Sequence, residues 1–530
     1  MLAAIPLSLL TVTSQGAEER QGLLKRVFSK KKPAACCDDK APAKVTPKPQ
    51  GQQLPKGEKE PTKLPPAVKP APVVKDPVVK APVVAKPVPT IKSGTKNVIA
   101  ARQPDKVTPA TTKIPTGFTS PFNGKDFNGW WGFGTADPMK FKALSPFEQA
   151  KKKVESMEDI HAHWKVEGNE IVNDGKGLYL TTEKEYGDFE LLLEYKMLPK
   201  GDSGIYLKYV PQVQIWDFTD PEKFKLGADK GSGGLWNNSP GKPGKDPLVL
   251  ADKPFGQWNS FRIIQVGART TIWLNGKLVV DNAILENYFN RKAPLLLRGA
   301  IQLQTHGSEI RWRNILIREI PAAEANELLA ARNETGFSKV FDGKTLNGWA
   351  GAKENYEVVD GSIQCKKGKG GVLYTEKKFA DFKARLEFLV PPGGNNGLAI
   401  RFPGGNSDAA YSGMCELQVL DNDSPKYAKL DARQYHGSAY AMAPAHRGYM
   451  RPAGTWNFQE VTVVGSKITV ELNGSVILDT DLSTVKEFMA NRAHPGKELK
   501  EGHFGFAGHS DPVRFRNIEI KPLGDSKASK

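Results

Sequence analysis

This sequence predicts an all-β protein: two antiparallel β-sandwiches in tandem, preceded by a disordered arm rich in proline and lysine. Three observations predict it. The chain of 530 residues repeats itself once, each repeat breaks into short apolar runs separated by turn signals, and proline and lysine crowd into one N-terminal stretch.

The repeat is read in order along the chain. Phe122-Asn123-Gly124-Lys125 with Gly129-Trp130 returns as Phe341-Asp342-Gly343-Lys344 with Gly348-Trp349. Trp258-Asn259 returns as Trp456-Asn457, Leu274-Asn275-Gly276 as Leu472-Asn473-Gly474, and Arg313-Asn314-Ile315 as Arg516-Asn517-Ile518. The implied organisation is an export signal at 1–19, an arm at 20–115, a first sandwich at 116–320, a linker at 321–333, a second sandwich at 334–523 and a tail at 524–530.

Within each copy, runs such as Phe189-Glu190-Leu191-Leu192-Leu193-Glu194-Tyr195 and Lys467-Ile468-Thr469-Val470-Glu471-Leu472 have the length and alternation of strands. Asn275-Gly276 and Asn473-Gly474 supply the positive φ that tight hairpins need. Helical spacing is confined to 146–159 and to the Ala/Glu-rich linker.

The arm holds 18 Lys and 3 Arg against 4 Asp and 2 Glu, so it carries +15 of the chain's +17, together with 17 of its 39 prolines. Proline removes amide donors and fixes φ, which makes the arm an extended, solvated spacer. Its charge also fits contact with an anionic cell surface. Nucleic-acid binding is disfavoured, because Phe28 is the arm's one stacking platform. The apolar start, Met1 to Val12, followed by Ser14-Gln15-Gly16-Ala17, reads as an export signal without its basic leader, and points to a bacterial periplasmic, extracellular or cell-surface protein. No later stretch has the ~20 apolar residues of a membrane-spanning helix. The vicinal Cys36-Cys37 pair is strained for a mutual bridge, and Cys365 and Cys415 read as buried thiols or one bridge.

Candidate chemistry centres on Cys415-Glu416-Leu417-Gln418-Val419-Leu420-Asp421, where period two puts Glu416 and Gln418 on one face and Asp421 joins them through a bulge. The first copy reads Gln212-Val213-Gln214-Ile215-Trp216-Asp217, so Gln212 replaces the carboxylate while Gln214 and Asp217 keep their places. A glutamine cannot take a proton as Glu416 can, though it still hydrogen-bonds sugar hydroxyls. The second copy is therefore read as catalytic and the first as a binding copy. Arg401, His436, Tyr440 and His509 fall near the Glu416 strand, and His306 and His509 match just ahead of the Arg-Asn-Ile signature. Gly201-Asp202-Ser203-Gly204 and its counterpart Gly394-Asn395-Asn396-Gly397 read as turns presenting polar groups, with no nucleophilic serine shared between them. His161 and His163 have no echo in the second copy and read as surface residues.

Taken together, Phe-Asn-Gly-Lys with Gly-Trp, the Gly-Asp-Ser-Gly and Gly-Asn-Asn-Gly turns, Glu/Gln-x-Gln-x-x-Asp, Trp-Asn, Asn-Gly, and His with Arg-Asn-Ile resemble the 3-keto-disaccharide hydrolase domain family over both copies. The resemblance implies concanavalin A-like jelly-roll sandwiches, an exported bacterial protein, and an oligosaccharide or glycoside substrate already oxidised at C3 by a partner sugar 3-dehydrogenase. The implied reaction is abstraction of the C2 proton, elimination at C1 and hydration. For it the residues offer Glu416 as base or ion ligand, Asp421 assisting, Arg401 and His436 at the enolate, and Gln418, Asn396, Tyr440 and His509 on the sugar. In the first copy Gln212, Gln214, Asp217 and His306 would bind. A divalent metal cation is compatible with this chemistry, although no spacing shows its ligands. Gln212, and Leu207-Lys208 in place of Arg401, depart from the pattern in the first copy. Two other readings remain open: an ordinary glycosidase using Glu416 and Asp421 as its carboxyl pair, and a lectin-like protein without catalysis.

Overall fold

In the computed structural model, residues 114–524 are described. The signal, nearly all of the arm, the Cys36-Cys37 pair and most of the tail lie outside the described residues. Alternation in the sequence becomes two concanavalin A-like jelly-roll sandwiches, each made of two antiparallel sheets. In the first copy a five-stranded sheet contains β1 (Trp130–Phe133), β2 (Tyr179–Thr182), β3 (Asp202–Leu207), β4 (Val210–Trp216) and β5 (Gln302–Leu303), in the spatial order β1-β2-β5-β3-β4. The second copy repeats it with β6 (Trp349–Gly351), β7 (Gly370–Phe379), β8 (Asn395–Phe402), β9 (Cys415–Leu420) and β10 (Gly502–His509), in the order β6-β7-β10-β8-β9. The same topology in both copies is what the sequence repeat encodes.

Each five-stranded sheet turns one face inward against a larger sheet. Leu180, Ile205, Val213, Ile215 and Leu303 pack in this way against Leu191, Leu193, Phe261 and Ile317 of a seven-stranded sheet. In the second copy Leu398, Ile400, Leu417, Val419 and Phe506 meet Leu386, Phe388, Val461 and Phe515 of an eight-stranded one. Each such buried side chain contributes on the order of 1.5–3 kcal/mol. The alternate residues of β3, β4, β8 and β9 are thereby placed on the open faces. The predicted hairpin turns form as expected, with Asn275 at φ 52° and Asn473 at φ 49°.

Helices occupy connections. α1 (Pro138–Lys142) and α2 (Pro146–His163) are an insertion of the first copy, and α2 starts at a capping box made by Ser145 and Glu148. His161 and His163 end α2, where His163 Nδ1 lies 3.0 Å from Asp174 Oδ2. The linker forms α3 (Ala322–Ala330), whose Ala325 and Leu329 are buried with Ile264, Val266 and Ile320 of the first copy and Phe458 of the second. Beside it Ala268 N donates to Gly474 O at 3.0 Å, Arg269 pairs with Glu471, and Arg332 Nη2 lies 2.7 Å from Glu460 Oε2. The sandwiches thus pack through apolar contact and a nearly buried charge cluster. Cys365 and Cys415 are free, buried thiols.

Candidate active site on the open face of the second sandwich

Glu416 stands on the open face because Cys415, Leu417 and Val419 take the core side of β9. Its backbone neighbour across the sheet is Ala399, and Gln418 faces Gly397. The strand beyond, β10, brings Gly505 opposite Ala399 and Ala507 opposite Gly397. The floor beside Glu416 is therefore Gly397, Ala399, Gly505 and Ala507, residues too small to fill it. A Cβ on Gly397 would collide with the Glu416 carboxylate, so glycine is what allows the side chain to lie across the sheet. Gly397→Ala is expected to displace that carboxylate while the chain stays folded, as a crystal structure and a melting curve of the variant will show.

His509, at the end of β10, completes the pair: its Nε2 lies 3.2 Å from Glu416 Oε1, with Glu416 nearly buried and the imidazole about half exposed. The hydrogen bond to Glu416, working against burial, raises the His509 pKa above its ordinary value, with the Glu416 and Asp408 charges adding to the effect. Around them Gln418 Nε2 donates to Asn395 Oδ1 at 2.6 Å, and Asn395 N donates to Asp511 Oδ2 at 3.0 Å. Asn395 Nδ2 has no protein acceptor among the described residues and is free for a ligand. Tyr440 closes one side, its amide donating to Glu416 O at 2.9 Å and its hydroxyl accepting from Gln434 Nε2 at 3.1 Å. Burial, with the Glu416 and Asp408 charges added, raises the Tyr440 pKa, so the phenol stays protonated. The Tyr440 ring meets Tyr411 of α4 (Ala409–Ser412) edge-on, centroids 6.4 Å apart.

The structure thus brings Glu416, Gln418, His509 and Tyr440 together, and corrects five other expectations. Asp421 lies past the end of β9 with no bulge to return it; its Oδ2 accepts from Gly393 N at 2.8 Å and its Oδ1 from Asp423 N at 3.3 Å, so it braces the loop before β8. Asp217 does the same in the first copy, accepting from the Lys200 amide at 2.7 Å and from Thr219. Arg401 is buried elsewhere: it donates to the carbonyls of Ala380, Gly465 and Leu499 and pairs with Asp381 at 2.8 Å. Its counterpart Lys208 donates to Gly267 O at 2.8 Å, and burial pushes that ammonium down to about 8. The Lys208-for-Arg401 exchange therefore concerns a structural brace. His436 is 1% exposed, stacked on Phe388, with Nε2 3.0 Å from Gln459 Oε1 of the opposite sheet; burial pushes its imidazole down to about 3, so it is a neutral core residue. Asn396 is paired with Val419 and Gly508 and is fully buried, while its neighbour Asn395 faces outward.

The first copy assembles a related but altered face. Gln212 Nε2 donates to Gln214 Oε1, and Gln214 Nε2 donates to Asp202 Oδ1 at 2.9 Å. His306 Nδ1 lies 3.4 Å from Asp202 Oδ2, which also accepts from Lys223 Nζ at 3.0 Å. Lys223 is a functional candidate the sequence pattern does not select, whereas Asp202 belongs to the polar Gly-Asp-Ser-Gly segment and aligns with Asn395. The floor also differs, with Gln302, Gln304 and Tyr206 where the second copy has Gly505, Ala507 and Ala399. Tyr206 is buried against Tyr179, its hydroxyl 2.6 Å from Thr135 Oγ1 in the segment ahead of α1.

Among the described residues no three His, Cys, Asp or Glu side chains converge as a metal-ion set. Glu416 and His509, the carboxylate and imidazole that meet on the open face of the second copy, do not by themselves fit a resident divalent cation.

Residues 117–318 and 336–521 each match the sequence model of the 3-keto-alpha-glucoside-1,2-lyase-like domain. The chain belongs to this family. Both open faces accordingly belong to 3-keto-alpha-glucoside-1,2-lyase-like domains. A 3-keto-disaccharide hydrolase of Bacteroides thetaiotaomicron is 30% identical over 246 residues, 39% of this chain and 85% of that protein. Among solved structures, a proposed glycosyl hydrolase from Parabacteroides distasonis is 23% identical, covers 36% of this chain and 100% of its own, and gives a TM-score of 0.33. A carbohydrate-binding module from Bacillus subtilis is 16% identical over 36% of this chain and 97% of its own, with a TM-score of 0.19.

Proposed function

We propose that this protein hydrolyses 3-keto-glycosides, 3-keto-disaccharides among them, on the second sandwich, and that the first sandwich binds sugar without cleaving it. The Glu416–His509 pair over a glycine and alanine floor is the observation that carries the reading. Family membership and the Bacteroides relative support the substrate class.

The chemistry follows from the ketone. A carbonyl at C3 acidifies the C2 hydrogen; the Glu416 carboxylate takes it, and the C–H electrons move into an enolate at C3. As the ketone reforms, the C1–O bond breaks, leaving a C1–C2 double bond, and the departing oxygen takes a proton from the His509 imidazolium. Water then adds at C1, giving one proton to the now neutral His509, and the proton held by Glu416 returns to C2, which restores both groups and completes a net hydrolysis. Asn395, Gln418 and Tyr440 orient the sugar with directed hydrogen bonds. Asp421 is occupied by backbone amides, so the carboxyl pair of an ordinary glycosidase is missing its second member. A dehydrogenase that makes the 3-keto sugar, and export to the compartment where the two meet, belong to the same proposal.

Turnover of a 3-keto-glucoside beside absence of turnover of the parent glucoside is the expected result; equal rates on both would overturn the reading. Acid catalysis by His509 adds a pH signature. Its pKa is raised, so the protonated form persists above the ordinary imidazole value. The rate is expected to fall as pH rises through that raised pKa. By linkage, any stability from the ion pair is complete at pH below the ordinary imidazole pKa and is lost over the same rise. His509→Gln is expected to remove this alkaline limb of the kcat profile.

A further inference from the structure

The carboxylate absent from Gln212 has a neighbour in the strand beside it. Gly204 faces Gln214 as Gly397 faces Gln418, so Asp202 holds the register position of Asn395. The first copy has thus exchanged the two types, carboxylate and amide, between adjacent strands, and its histidine has kept a carboxylate partner. The settings are not equivalent. Glu416 meets one cationic partner, His509, whereas Asp202 Oδ2 is shared by Lys223 and His306 and its Oδ1 by Gln214. Burial opposes ionisation of Asp202, but these partners outweigh it and hold the carboxyl below its ordinary range. So clamped, it is a poor base and a good acceptor.

A second feature points to a ligand. Gln304 is 6% exposed, its Nε2 donates to Tyr179 Oη at 3.3 Å, and its Oε1 has no partner. That oxygen and the Gln212 amide carbon both lie 3.0 Å from where a side chain on Gly204 would begin. Glycine at 204 therefore lets the Gln212 and Gln304 side chains close over the strand, and the unsatisfied Gln304 acceptor lies one register step from the Asp202, Lys223 and His306 cluster. Buried acceptors without a donor are costly, and a hydroxyl of a ligand seated on this face would supply one.

We infer that the first sandwich is a binding site for neutral pyranosides that present two adjacent free hydroxyls, and that it prefers the unoxidised sugar to its 3-keto form. Adjacent hydroxyls each donate and accept, which matches acceptors at Gln304 and Asp202 lying next to donors at His306, Lys223 and Gln212. In a glucopyranoside the 3-hydroxyl belongs to both vicinal pairs of the ring, and a ketone there has no hydrogen to donate. The two copies then divide one sugar by oxidation state: the first holds the parent glycan and the second cleaves the oxidised ring. This inference rests on the sugar-processing reading above.

The test uses the full chain carrying Glu416→Gln, so that little ligand is consumed, with methyl α-glucopyranoside and its 3-keto derivative as probes in saturation-transfer NMR and titration calorimetry. Saturable binding of the parent glucoside is expected, about 10-fold or more weaker in both His306→Ala and Gln304→Leu. Gln304→Leu removes an unsatisfied buried group and serves as the variant expected to fold. Three results would overturn the inference: no binding of the parent glucoside, binding unchanged in both variants, or the 3-keto probe bound equally well with the same sensitivity to the two variants. Residual turnover removed by Asp202→Asn would also overturn it, by making the first copy catalytic. Failure here leaves the Glu416 assignment intact, since that stands on turnover by the unsubstituted chain.

Discussion

Glu416→Gln is expected to lower kcat on a 3-keto-glucoside by roughly 10²- to 10⁴-fold, the usual contribution of a positioned general base. The amide is nearly isosteric and keeps an oxygen that can accept from His509, so KM and the melting temperature are expected to change little. What disappears is the group that can receive the C2 proton. Hydrogen exchange at C2 provides a second measurement: in deuterated water the native chain is expected to exchange the C2 hydrogen of an analogue with a poor leaving group, and the variant to leave it in place. A variant with full turnover would remove Glu416 from the mechanism. A variant that loses turnover and unfolds would require the more conservative Glu416→Asp, which keeps the carboxylate and withdraws it by one methylene.

Arg401→Met is expected to act on stability instead, by about 3–5 kcal/mol, with kcat per folded molecule nearly unchanged. The guanidinium serves three carbonyls and Asp381, drawn from the segments around 380, 465 and 499, and methionine fills its volume without replacing any of those bonds. Denaturant unfolding followed alongside kcat separates this from a catalytic role, which would cost rate without stability. Arg401→Lys is expected to recover part of the loss, because Lys208 shows that an ammonium at this position reaches one carbonyl, that of Gly267. A variant of wild-type stability with a greatly reduced rate would restore Arg401 to the reacting centre.

Local pattern carried much of the architecture and the centre of the site. Alternation in Cys415 to Leu420 is enough to place Glu416 and Gln418 on one face, since the period of a strand is two and the apolar set must face the other sheet. The repeat adds His509, because a histidine preserved at matching places in two diverged copies, as His306 and His509 are, reflects a shared position in the sheet. Polarity alone was a weaker guide. Asn395 and Asn396 look alike in sequence, yet a one-residue difference in register sends one to the open face and the other into the sandwich. His436 sits in a segment between strands, where nothing local says whether a ring points out or stacks on Phe388.

By itself the sequence determined two copies of one strand pattern, their turns, the charge of the arm and the carboxylate at 416, because each of these depends on neighbours a few residues apart or on a repeat that can be read directly. Only the tertiary structure decided that Arg401 and Asp421 brace loops, that Asp202 is the first copy's carboxylate, and that Gly505 and Ala507 open the floor beside Glu416. Those outcomes depend on strands and loops that lie as far as 110 residues apart in the chain, as Gly397 and Ala507 do, and meet only when the sheets close. Hydrogen bonding to whichever carbonyls, amides and carboxylates arrive there then settles the direction each polar side chain takes.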